Sequence, residues 1–377
     1  MNEEREDREK GEEKSGALVA SSPRPELGLW DEAAVIINHN ARKASRKVKR
    51  AIEDVGPYIH VYYTKTLDEA RHYARKVIES GFLNIFSAGG DGSLTQLINL
   101  LKEAIDEYEK GREDGASRPS LPRIGVLKYG TGNGVASMLG IKRGYKNIKR
   151  IVEEGYDKVR EINLIESSGK LFPFAGIGLD ARVLNDFKYV TSKFNGAAWW
   201  RRISGGFVGY IATTFGYSAP KYLFSRPARL EIVNTGDEVY SVSYGVEPSR
   251  RKVKYGETLY SGKAVLVGVG TVPNYGYGLK AFPFAFDKPG FMNLRIINMS
   301  IPRIVWNAPR IWRGAIRDKG FIDFLAQSVR INLDKPMPYQ ISGDAAGMVS
   351  SAQYSVSELT VKLFDFHEPK ELTLGLI

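Results

Sequence analysis

The sequence predicts an α/β lobe built on a parallel sheet, followed by a β-rich lobe. Three observations carry this. Strand-like and helix-like segments alternate from residue 33 to about residue 157, the pattern of a parallel sheet covered on both faces. Two glycine-rich turns, 89–93 (GGDGS) and 130–134 (GTGNG), each lie between a strand and a helix. Beyond about residue 157, strand-like runs dominate.

The elements follow in order. Residues 1–29 are polar, contain a Ser-Pro-Arg-Pro stretch and read as a disordered tail. Ala33–Asn38 is a short apolar strand, and basic helical sequence follows over 43–53. A second strand spans Tyr58–Thr64. A helix spans Thr66–Ser80, opened by the capping box Thr66-x-x-Glu69. Phe82–Ala88 is the third strand and runs directly into the first glycine turn. The helix over Ser93–Glu107 carries a stripe of Leu94, Leu97, Ile98, Leu101 and Ile105, with Ser93-x-x-Gln96 as its expected capping box. A polar loop covers 108–120, and Arg123–Leu127 is the fourth strand before the second glycine turn. In the second half, strands are expected at 159–165, 171–176, 228–234, 239–246, 263–269, 291–297, 329–333 and 338–342. Val239–Val246 alternates as one half-buried strand. Two insertions, 194–217 and 302–325, are rich in aromatic and basic residues.

Composition narrows the function. At 377 residues the chain buries roughly 75% of its unfolded surface and needs no covalent staple. It has no Cys, which excludes thiolate metal sites, a Cys nucleophile and dithiol redox chemistry. No apolar run reaches ~18 residues and the N-terminus has no apolar signal core, so a cytoplasmic protein is expected. Residues 1–14 hold seven acids and four bases, leaving 50 Lys and Arg against 36 Asp and Glu, net +14, in the remainder. A basic body suits an anionic partner: phosphorylated small molecules, an anionic membrane or nucleic acid.

The glycine turns point to phosphate. Both stand at the carboxyl end of a strand and the start of a helix, where open α/β sheets bind ligands. Glycine lets the backbone approach a phosphate, and free N–H groups at a helix start donate to it. Asp91 places a carboxylate among those donors, which implies a divalent cation, Mg²⁺, between it and phosphate. Neither turn is GxxxxGK[ST] or GxGxxG, so neither a Walker A loop nor a dinucleotide fingerprint is supported.

AGGDGSLTQLINLL, followed by PRIGVLKYGTGNGVASMLG, resembles the diacylglycerol kinase catalytic family, which includes sphingosine and ceramide kinases and bacterial lipid kinases. NAD kinases and phosphofructokinases share the GGDG loop, and the GTGN segment favours the lipid kinase branch. FAGIGLDARV (174–183), YGLKAFPFAF (277–286) and YQISGDAAG (339–347) are looser matches, extending the resemblance over about 33–365. It implies an α/β nucleotide lobe over 30–157, a β-sandwich substrate lobe over 158–355, a C-terminal segment, 356–377, returning to the first lobe, and ATP in the cleft between the lobes. The implied nucleotide contacts are Asn38, Thr64, Gly89, Gly90, Asp91, Gly92, Ser93, Gly130, Thr131, Gly132 and Asn133. Asp91 is the implied Mg²⁺ residue, and Asp344 the implied general base for the acceptor hydroxyl.

Several positions depart from the family pattern. The first-strand loop reads Asn38-His39-Asn40-Ala41-Arg42 where the family has N-P-x-x-G. Thr95-Gln96 replaces Asn-Glu, and Ser342-Gly343-Asp344 replaces the DGE acids with a carboxylate one methylene shorter. Pro289-Gly290 stands where bacterial members carry an acid linked to a structural metal, so that site is expected to be lost, with Asp287 near.

The expectation is thus an ATP- and Mg²⁺-dependent kinase of a lipid hydroxyl, diacylglycerol or a sphingoid base, visiting the inner membrane face peripherally. Alternatives are a kinase of a soluble hydroxyl, including NAD, and a non-catalytic nucleotide- or lipid-binding protein. A nucleic-acid partner is not expected, since no motif supports one. Trp199, Trp200, Arg201 and Arg202 combine aromatics with cations and fit a membrane contact or a buried pair equally. Trp306 and Trp312, six residues apart and off a common helical face, are expected in the core. The basic cluster over 43–50 reads as a solvated helix face.

Overall fold

The computed structural model describes residues 32–39, 46–56, 58–110, 119–141, 145–152, 154–194, 207–222, 227–316 and 318–367. The expected tail, residues 40–45 of the first-strand loop and its basic helix, and Trp199–Arg202 lie outside these residues.

The first lobe alternates as the sequence predicts. It runs β1 (Ala33–Asn38), α1 (Arg46–Glu53), β2 (Ile59–Thr64), α2 (Leu67–Glu79), β3 (Asn84–Gly89), α3 (Asp91–Lys110), β4 (Arg123–Lys128), α4 (Gly134–Met138) and α5 (Lys146–Val152). The strands are parallel in the order β4-β3-β1-β2. Ala33–Ile37 are all buried, as a strand covered on both faces requires. The chain passes from β1 to β2 on one side and returns to β3 on the other. The crevice outside the carboxyl ends of β1 and β3 is therefore the topological switch point, where ligands of such sheets bind.

Helix α2 shows how sequence sets an element. Thr66 Oγ1 accepts from Glu69 N at 3.2 Å while Glu69 Oε2 accepts from Thr66 N at 3.3 Å, a reciprocal cap. Ala70, Ala74, Val77 and Ile78 form its buried face. Helix α3 departs from expectation at its start. Leu94 N already donates to Gly90 O at 3.0 Å, so Ser93 lies inside the first turn and is not the cap.

The second lobe is antiparallel. It comprises β5 (Val159–Ser167), β6 (Lys170–Phe172), β7 (Phe174–Gly178), β8 (Ala228–Asn234), β9 (Val239–Ser243), β10 (Val246–Arg251), β11 (Thr258–Ala264), β12 (Leu266–Gly270), β13 (Met292–Ile297), β14 (Phe321–Ala326), β15 (Ser328–Ile341) and β16 (Asp344–Phe364). The expected single strand 239–246 is a hairpin, β9 and β10, because Gly245 takes φ +72° and turns the chain. The two runs 329–333 and 338–342 are one bulged strand, β15. Helices α6 (Leu179–Lys193), α7 (Phe207–Thr213), a π-helical turn (Thr214–Ser218), α8 (Ala219–Tyr222), α9 (Ile301–Trp306) and α10 (Ala308–Trp312) are inserted.

One long strand joins the lobes. β16 pairs with β15, then with β5, and at Leu363 lies parallel to Ile124 of β4. Asp365 just beyond it accepts from Arg160 at 2.7 and 3.0 Å. One hydrophobic core surrounds the parallel sheet, and a second fills the antiparallel lobe with Phe172, Ile232, Met292 and Tyr354. Trp306 lies in neither core. It is 83% exposed, contrary to the sequence expectation.

Candidate active site

The two glycine turns meet backbone to backbone. Gly130 N donates to Gly89 O at 2.8 Å, and a Cβ at Gly130 would lie 2.2 Å from Gly90 Cα. Only glycine permits that approach. Asn133 locks the second turn from within: it accepts from Gly130 N at 3.0 Å and donates to Gly130 O at 2.7 Å, itself at φ 49°. Across the switch-point crevice, Asn38 Nδ2 donates to Ser93 Oγ at 3.1 Å.

Asp91 ties the loops together. Its carboxylate accepts from Gly134 N at 2.8 Å and from Val135 N at 3.0 Å, so a residue of the first turn caps α4 after the second. Asp91 is 8% exposed. Burial pushes its carboxyl up to about 6, the hydrogen bonds from Val135 and Gly134 oppose this, and the charge of Asp344 adds to the rise.

Asp344 comes from the second lobe. Ser342 (φ 49°) and Gly343 (φ 82°) form a tight two-residue turn between β15 and β16, and Asp344 is the first residue after it. Thr95 Oγ1 donates to Ser342 Oγ at 2.7 Å, linking that turn to the first helical turn of α3. Gly343 N donates to Gln340 Oε1 at 2.8 Å. The Asp344 side chain is 68% exposed, and Lys188 Nζ of α6 stands 3.5 Å from its Oδ1.

These groups line one cavity of about 720 Å³ between the lobes. Asn38, Gly90–Ser93, Gly130–Gly132 and Asp344 form its polar end. Leu184, Phe187, Tyr210, Tyr277, Leu279 and Trp312 line the remainder and make it apolar and aromatic. Lys188, Thr191 and Ser192 also line that part, and so does one carboxylate, Asp180. Its Oδ2 accepts from Tyr275 Oη and, at 3.2 Å, from Gln340 Nε2, while Oδ1 has no hydrogen-bond partner among the described residues. Burial raises its carboxyl above the usual range.

Most residues singled out from sequence therefore converge. Gly89 and Asn133 stand behind the cavity wall and shape the turns. Thr64 does not line the cavity: it is buried at the end of β2, and its hydroxyl donates to Ile37 O at 3.2 Å. Asp180, Lys188, Gln340 and Tyr275 join the site without a sequence signal of their own. Asp180 lies inside the 174–183 motif, the one signal that could have found it. Gly290 N donates to Asn163 Oδ1 at 3.0 Å, and the Asp287 side chain is exposed.

The donor set suits Mg²⁺. Both Asp91 oxygens already accept backbone N–H groups, yet each keeps lone-pair capacity toward the cavity. Asp344 lies close enough to raise the Asp91 carboxyl, and a cation relieves that repulsion. No group of three or more His, Cys, Asp or Glu able to hold a metal occurs among the described residues. Mg²⁺ needs only one or two carboxylates when substrate phosphates and water complete its shell.

Comparison with known proteins agrees with the sequence resemblance. Residues 32–165 match the family described as the diacylglycerol kinase catalytic domain. A diacylglycerol kinase of Bacillus subtilis is 23% identical over 82% of this chain and 86% of its own length. A probable lipid kinase YegS-like of Enterobacter is 21% identical over 72% of this chain and 75% of its own. A putative diacylglycerol kinase structure from Bacillus anthracis superposes with TM-score 0.59 at 17% identity, covering 90% of this chain and 98% of that one, which shows a shared fold. The resemblance to this kinase family holds, and the family implies ATP as a substrate.

Proposed function

We propose that the chain is an ATP-dependent lipid kinase that phosphorylates a hydroxyl of a lipid, diacylglycerol or a sphingoid base, in the inter-lobe cavity. One observation carries this reading: a single cavity joins a glycine-built polar end to an apolar, aromatic remainder, with Asp344 beside the polar end. A nucleotide phosphate chain suits the first and an acyl or alkyl chain the second. Residues 30–157 then serve as the nucleotide lobe, 158–355 as the acceptor lobe, and the chain after 356 returns to the first.

In this chemistry the backbone N–H groups of Gly92 and Ser93 at the start of α3, and of Thr131 and Gly132 in the second glycine turn, hold the phosphates of ATP. Asp91 holds Mg²⁺, which when bound neutralises phosphate charge. Asn38 fixes Ser93, so the β1 loop and the first glycine turn move as one unit. The acceptor hydroxyl stands at Asp344, whose carboxylate takes its proton while the oxygen forms a bond to the γ-phosphorus and the bond to the bridging oxygen of ADP breaks. Lys188 steadies that carboxylate. Asp180, held by Tyr275 and Gln340, places a polar group in the aromatic part of the wall.

The test is transfer of labelled γ-phosphate to a panel of diacylglycerol, monoacylglycerol, sphingosine, ceramide and NAD. A labelled lipid, absent with Asp91→Asn, supports the reading. Labelled NAD alone, or no product while ATP still binds, overturns it.

A further inference from the structure

We infer that the helical insertions around the cavity mouth form a docking surface for an anionic lipid bilayer. The inference rests on the lipid-kinase reading, because a bilayer is where the acceptor of that reaction resides. Three inserted segments frame the apolar side of the cavity: 179–194, 207–222 and 301–313. They are joined by contact. α6 packs on α7 and on the π-helical turn, and α9 packs beside α8 and α10.

An aromatic path runs from the cavity wall outward. Inside, the Phe187 and Tyr210 rings are 5.6 Å apart and those of Tyr210 and Tyr277 5.1 Å. Outside, on the same helices, the Tyr189 and Tyr217 rings are 6.2 Å apart and both side chains are exposed. Lys193 and Lys221 sit over these two rings. Trp306, at the tip of the α9–α10 hairpin, is 83% exposed beside exposed Val305. Trp312 at the far end of that hairpin lines the cavity, so a short helix pair connects the exposed indole to the acceptor site.

Charge selects the partner. The three segments carry seven Lys and Arg and two acids, Asp180 and Asp186, net +5. Asp186 is buried and paired with Lys221, and Asp180 faces the cavity, so the outward face is cationic. Arg310 and Arg313 are exposed on the same hairpin as Trp306. An exposed indole beside exposed guanidinium groups is the composition of an interfacial anchor: the ring sits at headgroup level and the cations meet anionic phosphate. Among the described residues no helix is long and apolar enough to cross a bilayer, so contact here is with its surface.

The test is co-sedimentation with vesicles of one part phosphatidylglycerol to two parts phosphatidylcholine, against pure phosphatidylcholine. The variants are Trp306→Ala and the double variant Arg310→Gln/Arg313→Gln. Transfer to a short-chain acceptor dispersed in solution is measured alongside. The expected result is binding to the anionic vesicles, weakened about tenfold by the first variant and about 30-fold by the second, with transfer to the dispersed acceptor unchanged. Variants that bind like the parent protein, or a parent protein that binds neutral vesicles equally well, would overturn the proposal. Vesicle binding that depends on these residues, with no phosphate transfer by any of the proteins, would uphold the surface and refute the kinase reading.

Discussion

The carboxylate of Asp344 occupies the space that a side chain at Gly92 would need: a Cβ there would stand 2.0 Å from Asp344 Oδ2. The first turn of α3 and the turn between β15 and β16 therefore meet through one exposed acid, far apart in sequence. Thr95 and Ser342 brace the same contact with a 2.7 Å hydrogen bond.

This contact predicts the effect of Gly92→Ala. The obstructed atom is the end of a side chain that is 68% exposed, so it can swing aside with little loss of stability. The displacement is of the order of 1 Å or more, and misplacement of that size costs roughly 100-fold in rate. Thermal unfolding should move little while turnover falls by about that factor. A rate within a few-fold of the parent would separate Asp344 from the chemistry.

Asp91 has a distinct signature in pH. Its folded carboxyl titrates at about 6 rather than 3.8, chiefly through burial. Between those values the folded state holds a proton that the unfolded chain has released. Its contribution to stability is thus full below about pH 4 and is lost as pH rises through about 6, a change of about 3 kcal/mol. Asp91→Asn should remove this fall from the pH profile of the unfolding midpoint. The same variant turns an amide toward Gly134 N or Val135 N, costing about 1–3 kcal/mol, and abolishes turnover. In the parent protein, Mg²⁺ with ADP should raise the midpoint more at pH 7.5 than at pH 5, since only the ionised carboxyl holds the cation.

Asp365 titrates in the opposite direction. Burial raises its carboxyl, but hydrogen bonds from His367 and the Arg160 guanidinium outweigh that and hold it below the usual carboxylate range. The stability it supplies is present above the ordinary carboxylate pKa and is lost as pH falls through its lowered value. Asp365→Ala should lower stability by about 1–3 kcal/mol at pH 7, read by denaturant unfolding, because it frees the end of β16 from β5. An unchanged midpoint would remove Asp365 as a tie between the end of β16 and β5.

The apolar wall gives a split in kinetic constants. Leu184→Asn places a polar group in the aromatic part of the cavity, away from the phosphate turns. The Michaelis constant for a lipid acceptor should rise about tenfold while that for ATP stays level. A rise in the ATP constant instead would put the nucleotide, not the acceptor, against this wall.

The first lobe was legible because local signals agreed there. Apolar runs, a capping box and glycine turns each point to the same parallel sheet, and β1 begins and ends where the pattern does. The second lobe was legible in kind and less so in detail. Tyr244–Gly245 splits one alternating run into two strands, and β15 bridges the Asp334-Lys335-Pro336 interruption by bulging. Those outcomes depend on partners distant in the chain. The site shows the same division. Gly89–Ser93 and Gly130–Asn133 announce themselves by spacing, but nothing near Asp180 in sequence states that Tyr275 and Gln340 will surround it. The exposure of Trp306 is not legible, because a large apolar side chain favours burial and the local sequence does not say whether another element covers it.

The most direct test is a single-turnover measurement of γ-phosphate transfer to the preferred lipid, comparing the parent protein with Asp344→Asn at saturating Mg²⁺ and ATP, with ATP affinity measured on both. The proposed chemistry predicts ATP binding within a few-fold and a loss of transfer of at least 100-fold. Transfer at the parent rate by Asp344→Asn, with ATP bound equally, would contradict the assignment of the base and with it the placement of the acceptor hydroxyl.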